Sequence, residues 1–365
     1  MKYSVLKSGA PGYVQLYNQI KEDIVSGAYP YGSKLPSKRM LSAETGVSVI
    51  TVEHAYTLLS DEGYIESRER SGYFVIYKEG DFLSHGTANE YEPIRPSKSR
   101  ENEETDFPFS SLAKKIRKVL LDNGDAILDK SHNKGLPSLR KSISSYLDRT
   151  VGIKADPSQI IIGAGAEYLY GLALLLLGKD RIYALEAPSY KTIERVYEAN
   201  GVRTELLPLG KNGIRREALL SSSASVLHIT PYNSYPSLVT ADANKRREYL
   251  EFARQRQGYI IEDNYDSELT VSKKHEETLF SLTKDDNVIY INTFSKTISS
   301  AIRMGYMVLP RKLVENFDER LGFYSCTVST FEQLVISEII DSGEFERHIN
   351  RVRRAKRKDK SGYIK

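Results

Sequence analysis

The sequence contains a single cysteine, Cys326, and no tryptophan among its 365 residues. One cysteine excludes an internal disulfide and indicates a reducing compartment. No apolar stretch follows the N-terminus as it does in a secretory signal peptide, and the longest apolar run, Leu172 to Leu177, is far shorter than a membrane span. We therefore expect a cytoplasmic protein that does not contact membranes, and no metal site is predicted.

The chain also has little net charge, +4, and that charge is unevenly distributed. Residues 347–365 contain nine Lys or Arg residues and one Asp, whereas residues 1–77 contain eight basic and eight acidic residues. Any contact of the N-terminal segment with DNA therefore depends on where its charges are placed, because its net charge supplies no attraction.

Residues 1–77 predict three helices followed by a β-hairpin. Apolar residues recur at helical spacing from Val14 to Val25, a second helix ends before a turn at Gly46, and Ser48 can cap a third helix. The segments Tyr64-Ile65-Glu66 and Tyr73-Phe74-Val75-Ile76, on the two sides of Ser71-Gly72, predict the hairpin. Three helices and a hairpin in this order are typical of a winged helix-turn-helix, a small α+β domain.

The rest of the chain has a different pattern. Residues 78–105 are polar, contain proline and lack periodicity, which predicts a linker. In residues 106–350 short apolar strands alternate with helices, which predicts an α/β domain with a mostly parallel, seven-stranded sheet, and residues 351–365 form a basic C-terminal tail. Ligands of such sheets bind at the carboxyl ends of strands. The predicted strands are Gln159–Gly163, Arg181–Leu185, Arg203–Leu207, Val226–Thr230, Tyr259–Asp263, Val288–Asn292 and Met304–Leu309.

The segment from Tyr290 to Tyr306, YINTFSKTISSAIRMGY, combines a lysine, several hydroxyls and an arginine. Lys296 lies between apolar residues and hydroxyls, an environment that favours the neutral amine needed to attack an aldehyde. Arg303 offers a permanent, forked cation suited to a phosphate. Together they fit a phosphorylated aldehyde, pyridoxal 5'-phosphate (PLP). The alternative is a strand, a turn and two surface cations.

Three further strand ends carry small, aromatic or acidic residues. Gly165 and Ala166 lead from the first strand into a helix, where backbone N–H groups and the helix dipole favour a phosphate. Tyr190 follows the second strand and offers an aromatic face. A buried Asp263 would need a cationic partner such as a protonated pyridine nitrogen, and Tyr265, on the same side, could hydrogen-bond a phenolate oxygen. The alternatives are a tight turn, a core tyrosine and a surface aspartate.

The first 77 residues resemble the GntR family of bacterial repressors. The resemblance is carried by YVQLYNQIKEDIVSGAYPYGSKLPSKRMLS, GVSVITVEHAYTLLSDEGYIE and SGYFV. It implies that DNA phosphates or bases are contacted by Lys38, Arg39, Ser48 and Thr51, and that the wing at Ser71 and Gly72 reaches the minor groove. Many members have an arginine at the position of Val49, so base recognition is expected to differ here.

Residues 106–350 resemble the fold-type I aminotransferases, and the combination with a GntR module resembles the MocR-type transcriptional regulators. The resemblance is carried by segments such as QIIIGAGAEYLYGLALLLLG, IIEDNYDSEL and VIYINTFSKTISSAIRMGYMVLP. It implies that Lys296 bonds covalently to PLP. It further implies that Asp263 pairs with the pyridine nitrogen, Tyr265 contacts the ring oxygen and Tyr190 stacks on the ring. The phosphate site it implies consists of Gly165, Ala166, Thr293, Ser295 and Arg303.

The chain departs from these relatives at several positions. Tyr235 stands where relatives contact the oxygen side of the cofactor, Leu238 replaces a glycine, and Ser299-Ser300 replaces a usual Ala-Pro pair. Relatives also continue beyond the position of Lys365 with a small domain whose arginine grips the carboxylate of a ligand. We therefore expect a truncated or frameshifted member that keeps at least part of its affinity for PLP and loses the response to amino acids.

These patterns predict a PLP-dependent transcriptional regulator. It would bind a double-stranded DNA operator as a homodimer and sense a small amine, an amino acid or PLP itself. One alternative is a working aminotransferase with an appended DNA-binding module. Another is a DNA-binding protein whose aminotransferase-like scaffold no longer binds PLP.

Overall fold

The computed structural model describes residues 3–5, 10–68, 71–78, 107–265, 267–270 and 277–362. The chain divides into two compact units, Met1–Lys98 and Ser99–Lys365. Almost all of the predicted linker, residues 79–105, lies outside the described residues.

The N-terminal unit is a winged helix-turn-helix, as the sequence predicts. Helices α1 and α3 pack around buried side chains that include Leu16, Ile20 and Val52, and the two strands pair in antiparallel fashion. Gly46 closes the second helix with a φ of 70°, a conformation that favours glycine. The elements are α1 Gly12–Val25, α2 Lys38–Thr45, α3 Val49–Asp61, β1 Ile65–Arg68 and β2 Gly72–Val75.

The C-terminal unit is built on a mixed, mostly parallel sheet. Its strands lie in the order β3-β10-β9-β8-β7-β4-β5-β6. Neighbours from β9 to β5 are parallel, whereas β10 runs antiparallel to both β3 and β9. The strands are β3 Ile160–Gly163, β4 Ile182–Ala187, β5 Arg203–Gly210, β6 Gly213–Ile214, β7 Val226–Ile229, β8 Tyr259–Asp263, β9 Val288–Thr293 and β10 Gly305–Val308.

The sheet has one strand more than the seven predicted from the sequence. All seven predicted strands are present, and the additional strand, β6, consists of Gly213–Ile214 paired with the end of β5 at the sheet edge. Two residues are too few to produce an alternating pattern, so the sequence gives no signal for this strand.

Helices cover both faces of the sheet. Ile289 and Ile291 of β9 pack in the core with α6, α7 and α11, whereas Tyr290 packs on the opposite face with α5 and α12. The helices are α4 Phe109–Asn123, α5 Pro137–Val151, α6 Ala166–Leu177, α7 Lys191–Ala199, α8 Arg216–Ser221, α9 Ala243–Gln255, α10 Leu279–Leu282, α11 Val314–Leu321, α12 Thr330–Asp341 and α13 Glu344–Gly362.

Helix α13 runs through the boundary that the sequence predicts at residue 350, so the basic segment forms the second half of a helix up to Gly362. Within the described part of the chain, no helix is long and apolar enough to cross a membrane.

Candidate functional site

A cavity of about 400 Å³ lies at the carboxyl ends of β7, β8 and β9. This is the edge at which parallel sheets collect ligands. Eight of the nine cofactor-binding residues predicted from the sequence line the cavity, and the ninth, Gly165, directly precedes one of them. The lining residues are Ala166, Glu167, Tyr170, Tyr190, Ile193, Thr230, Tyr235, Asp263, Tyr265, Thr293, Ser295, Lys296 and Arg303.

Lys296 lies in the connection between β9 and β10. Phe294 and Thr297, on either side, are buried, and the Ser295 hydroxyl donates to the Ile302 carbonyl oxygen at 3.2 Å, which closes the turn. Lys296 itself is exposed. The expected shielding of this amine by apolar neighbours is therefore wrong: those neighbours point into the core, and the lysine is directed towards the cavity.

The start of α6 and Arg303 form a cradle whose hydrogen-bond donors are suited to an anion. Gly165 has a φ of 92°, a conformation that favours glycine, and a Cβ atom at this position would lie 3.0 Å from Nη2 of Arg303. Arg303 Nη2 donates to Glu167 Oε2 at 2.8 Å. The first N–H groups of α6, which have no partner within the helix, and the positive end of the helix dipole lie next to Gly165 and therefore near Arg303. The cradle therefore combines backbone donors with a guanidinium.

Asp263 is buried at the end of β8 and has no charged partner in the part of the chain that the structure describes. The Tyr170 hydroxyl donates to its Oδ2 atom, and the backbone N–H of Tyr265 also favours the charged form of the carboxyl, whereas the Oδ1 atom has no hydrogen-bond partner of good geometry among the described residues. Burial raises the pKa of the Asp263 carboxyl to about 6. A buried carboxylate oxygen without a partner is costly, and a cation or N–H donor in the cavity would satisfy it.

Among the described residues, those packed behind Asp263 supply no such cation. His228 packs edge-on against the Tyr170 ring with centroids 4.9 Å apart, and its Nδ1 atom lies 2.7 Å from the Tyr197 hydroxyl. Burial lowers the pKa of His228 to about 3, so the imidazole is neutral at physiological pH. His228 therefore does not compensate the charge of Asp263.

Two tyrosines form an aromatic wall of the cavity. The rings of Tyr190 and Tyr235 meet nearly at right angles with centroids 5.9 Å apart. The loop that carries Tyr235 is held by Glu186 of β4, whose Oε2 atom accepts from the Ser234 hydroxyl at 2.6 Å and from the Thr230 N–H at 3.1 Å. Burial raises the pKa of Glu186 to about 7. This carboxylate therefore ties the loop to the central sheet.

The same loop shows how the substitution of a glycine by Leu238 is accommodated. Leu238 has a φ of 57°, and its backbone N–H donates to the Ser234 carbonyl oxygen at 2.6 Å. The loop thus keeps a left-handed conformation that favours glycine and bears the strain of a branched side chain there. Tyr265, predicted to contact a ring oxygen, donates its hydroxyl to the Asn233 carbonyl oxygen at 3.0 Å.

In the N-terminal unit, the residues predicted to contact DNA lie at the starts of α2 and α3. Ser48 caps α3: its hydroxyl oxygen accepts from the Thr51 N–H at 3.1 Å and lies 2.9 Å from the Thr51 hydroxyl. Lys38 forms an ion pair with Glu53 at 2.6 Å, whereas Arg39 is exposed. The two cations therefore differ, because the charge of Lys38 is compensated by Glu53 and Arg39 is exposed.

The wing carries the remaining predicted residues. Ser71 donates its N–H to the Arg68 carbonyl oxygen at 3.0 Å, and Gly72 has a φ of 107°. Lys34, which bridges to β2, lies close to Gly72, since a Cβ atom there would be 3.1 Å from the Lys34 Cε atom. Lys34 is an exposed cation that the sequence analysis missed, although it falls within the quoted motif. Arg68, also exposed, pairs with Glu66 at 2.6 Å.

Comparisons with known proteins agree with both units. The chain matches the family model for bacterial regulatory proteins of the gntR family over residues 12–75 and the model for aminotransferase class I and II over residues 100–361. It is 32% identical over 361 residues to the uncharacterized HTH-type transcriptional regulator YdeL of Bacillus subtilis, covering 96% of this chain and 78% of the relative. The chain belongs to the MocR-type regulators.

Other relatives support the same grouping. The probable rhizopine catabolism regulatory protein MocR of Rhizobium meliloti is 26% identical, covering 94% of this chain and 74% of the relative. A crystal structure of kynurenine aminotransferase from Pyrococcus horikoshii aligns with a TM-score of 0.62 and 25% identity, covering 68% of this chain and 64% of that protein. This MocR-type regulator thus spans less than two thirds of that aminotransferase, whose likeness establishes the fold.

The aminotransferase class I and II fold implies PLP dependence, and the residues of this MocR-type regulator fit that cofactor. The partnerless Oδ1 atom of Asp263 matches a protonated pyridine nitrogen. The cradle at Gly165 and Arg303 matches a phosphate, and Lys296 is positioned for an aldehyde. Each of the three chemical groups of PLP therefore has a complementary group in the cavity.

Sequence reasoning missed Tyr170, Glu167 and Glu186 as site residues. Tyr170 and Glu167 lie on α6, where the apolar pattern around them predicts only a core helix. Glu186 interrupts the buried strand β4, and a carboxylate in an otherwise apolar strand is a signal that could have been used.

Proposed function

We propose that this MocR-type regulator holds PLP covalently at Lys296 and uses it to sense amines while its winged helix-turn-helix binds operator DNA as a homodimer. The observation that carries the proposal is the buried Asp263 carboxylate, whose unsatisfied oxygen faces a cavity that also contains Lys296 and Arg303. A surface aspartate or a satisfied core aspartate would not require a cationic ligand.

Each residue of the cavity has a role in this proposal. PLP supplies an aldehyde that bonds reversibly to primary amines. The Lys296 amine would hold this aldehyde, and Arg303 with the N–H groups at Gly165 and Ala166 would bind the phosphate. The remaining contacts would come from Tyr190 stacked on the ring, Tyr265 on the ring-oxygen side, and the hydroxyls of Thr293 and Ser295.

Binding of the cofactor depends on the ionisation of Asp263. With a pKa of about 6, this carboxyl is ionised at pH 7 and above, and only the ionised form can pair with a pyridinium. Tyr170 holds one carboxylate oxygen, which leaves the other oriented for the ligand. A tyrosine donor also favours the charged form of the carboxyl.

Sensing would follow from competition between an incoming amine and Lys296 for the same aldehyde. A ligand changes DNA affinity only if it binds two conformations of the protein differently, and a coupling of about 1–3 kcal/mol is typical of such regulation. Tyr190 and Tyr235, at the cavity wall, are placed to contact an amine bound there.

The proposal is tested by following the cofactor and the DNA together. Titrating PLP-loaded protein with a panel of primary amines and amino acids should change both the visible absorbance and the affinity for a selected DNA duplex, by roughly fivefold or more for the true effector. An unrelated carboxylic acid without an amine serves as the control. Absorbance changes with no change in DNA affinity, accompanied by steady-state transamination, would instead support an aminotransferase.

Salt dependence separates the two neighbouring cations of α2. Arg39→Ala should make the negative slope of log K against log salt concentration less steep by about one unit, because a phosphate contact is lost. Lys38→Ala should have a smaller effect, since Glu53 already compensates Lys38 at 2.6 Å. Glu53→Gln should therefore raise DNA affinity by releasing Lys38. Equal slopes for the wild type and Arg39→Ala, measured by fluorescence anisotropy, would contradict the assignment of Arg39.

A further inference from the structure

The third helix of the N-terminal unit, α3, contains neither lysine nor arginine. Its sequence is VITVEHAYTLLSD, and its charged side chains at neutral pH are Glu53 and Asp61. In helix-turn-helix proteins the N-terminal residues of this helix contact base edges in the major groove, and an arginine or lysine bound to guanine is the commonest specific contact. Helix α3 can make no such contact, so its base recognition must rest on other groups.

The first two residues of α3 present apolar side chains to solvent. Val49 is 40% exposed and Ile50 is 64% exposed. The polar groups around them are already engaged: the hydroxyls of Ser48 and Thr51 lie 2.9 Å apart in the helix cap, and Glu53 pairs with Lys38. His54, one turn further along α3, is also exposed and packs edge-on against the Tyr13 ring with centroids 5.8 Å apart. At the first two residues of α3, however, the exposed surface is hydrocarbon.

The surroundings of this apolar surface favour a nucleic acid over a protein as its partner. Arg39 on α2 and Lys34 at the wing are exposed, whereas Arg68 at the wing pairs with Glu66 at 2.6 Å. Arg39 and Lys34 are therefore the cations of this domain that suit a polyanion. Two exposed side chains are also far too few for a stable protein interface, which buries roughly 800 Å² on each partner.

One base offers an apolar group to such a helix. In the major groove thymine presents its C5-methyl group, whereas guanine, adenine and cytosine present hydrogen-bonding atoms at their edges. We propose that Val49 and Ile50 recognise thymine methyl groups, so that each operator half-site carries thymine where α3 enters the major groove. This inference rests on the proposed DNA-binding function and adds the chemistry by which it selects sequence.

The effect of each methyl group can be bounded. Burying one methyl group contributes roughly as much as one methylene, which corresponds to about a fourfold change in affinity. Recognition of two methyl groups in each half-site of a dimeric complex would then change the affinity by more than a hundredfold, enough to select an operator.

The experiment begins with selection of duplexes from a random pool by the full-length protein. The selected duplex is then synthesised with deoxyuridine in place of single thymines, which removes the methyl group and preserves base pairing. We expect about a fourfold loss of affinity at one or two positions of each half-site and little loss elsewhere. Val49→Ala and Ile50→Ala should each abolish the difference between thymine and uracil at one of these positions.

Matched variants control the result. Val25→Ala removes an exposed valine of similar exposure, 45%, from the end of α1, and it should keep the full preference for thymine. Val49→Arg should shift the selected base from thymine to guanine, because arginine can bind guanine through two hydrogen bonds. A selected duplex that binds equally well with uracil throughout would overturn the inference. Selection that enriches no sequence would contradict operator binding itself.

Discussion

Asp263→Asn should weaken PLP binding by at least a hundredfold and, at the same time, make the cofactor-free protein more stable above pH 6. The folded-state pKa of Asp263 is about 6, against an ordinary value near 3.8, so its ionisation costs the folded protein about 3 kcal/mol. This cost develops as the pH rises from about 4 to about 6 and persists above that range. Asparagine does not ionise and avoids it, but it cannot compensate a pyridinium.

The measurement is urea unfolding of cofactor-free wild type and Asp263→Asn at several pH values from 5 to 8, together with PLP titration. The stability difference should be largest at pH 8 and shrink towards pH 5. Tyr197→Phe is the control: its hydroxyl contacts His228 rather than Asp263, so the variant should keep nearly normal PLP affinity. An asparagine variant that binds PLP like the wild type would show that Asp263 has another role.

Lys296→Ala should abolish covalent attachment of PLP. The affinity for PLP should fall on the order of a hundredfold, because the bond between the bound aldehyde and the lysine amine can no longer form. Amine-dependent changes in DNA affinity should disappear with it. DNA binding without effector should persist, since Lys296 belongs to the C-terminal unit and α3 to the N-terminal one.

Lys211→Ala, which removes an exposed lysine outside the cavity, is the matched control and should behave like the wild type. Absorbance spectra, equilibrium dialysis with PLP and anisotropy with labelled duplex provide the three readouts. A Lys296→Ala variant that still responds to amines would assign the sensing to a different group.

Much of the fold could be predicted because buried strands and amphipathic helices leave periodic patterns. Helix α6 begins at Ala166, where the sequence predicts the start of a helix, and all seven predicted strands occur. Asp263 and Lys296 could be singled out because polar residues follow directly on apolar strands. Strand β6 was missed, because two residues carry no periodicity.

The contacts inside the cavity could not be predicted in the same way, because they join residues far apart in the chain. Tyr170 meets Asp263 across 93 positions, and Glu167 meets Arg303 across 136. The exposure of Lys296 depends on which way its buried neighbours pack, and that is decided by tertiary structure. The positive φ of Leu238 likewise follows from the hydrogen bonds of its loop.

Reduction of the PLP-loaded protein with borohydride, followed by proteolysis and mass spectrometry of the labelled peptide, tests the central claim most directly. The reduced cofactor should be found at Lys296, in a peptide that contains residues Ser295 to Arg303, at close to one label per chain. Label spread over surface lysines, or a wild-type protein that takes up no label after incubation with PLP, would contradict a cofactor site in this cavity.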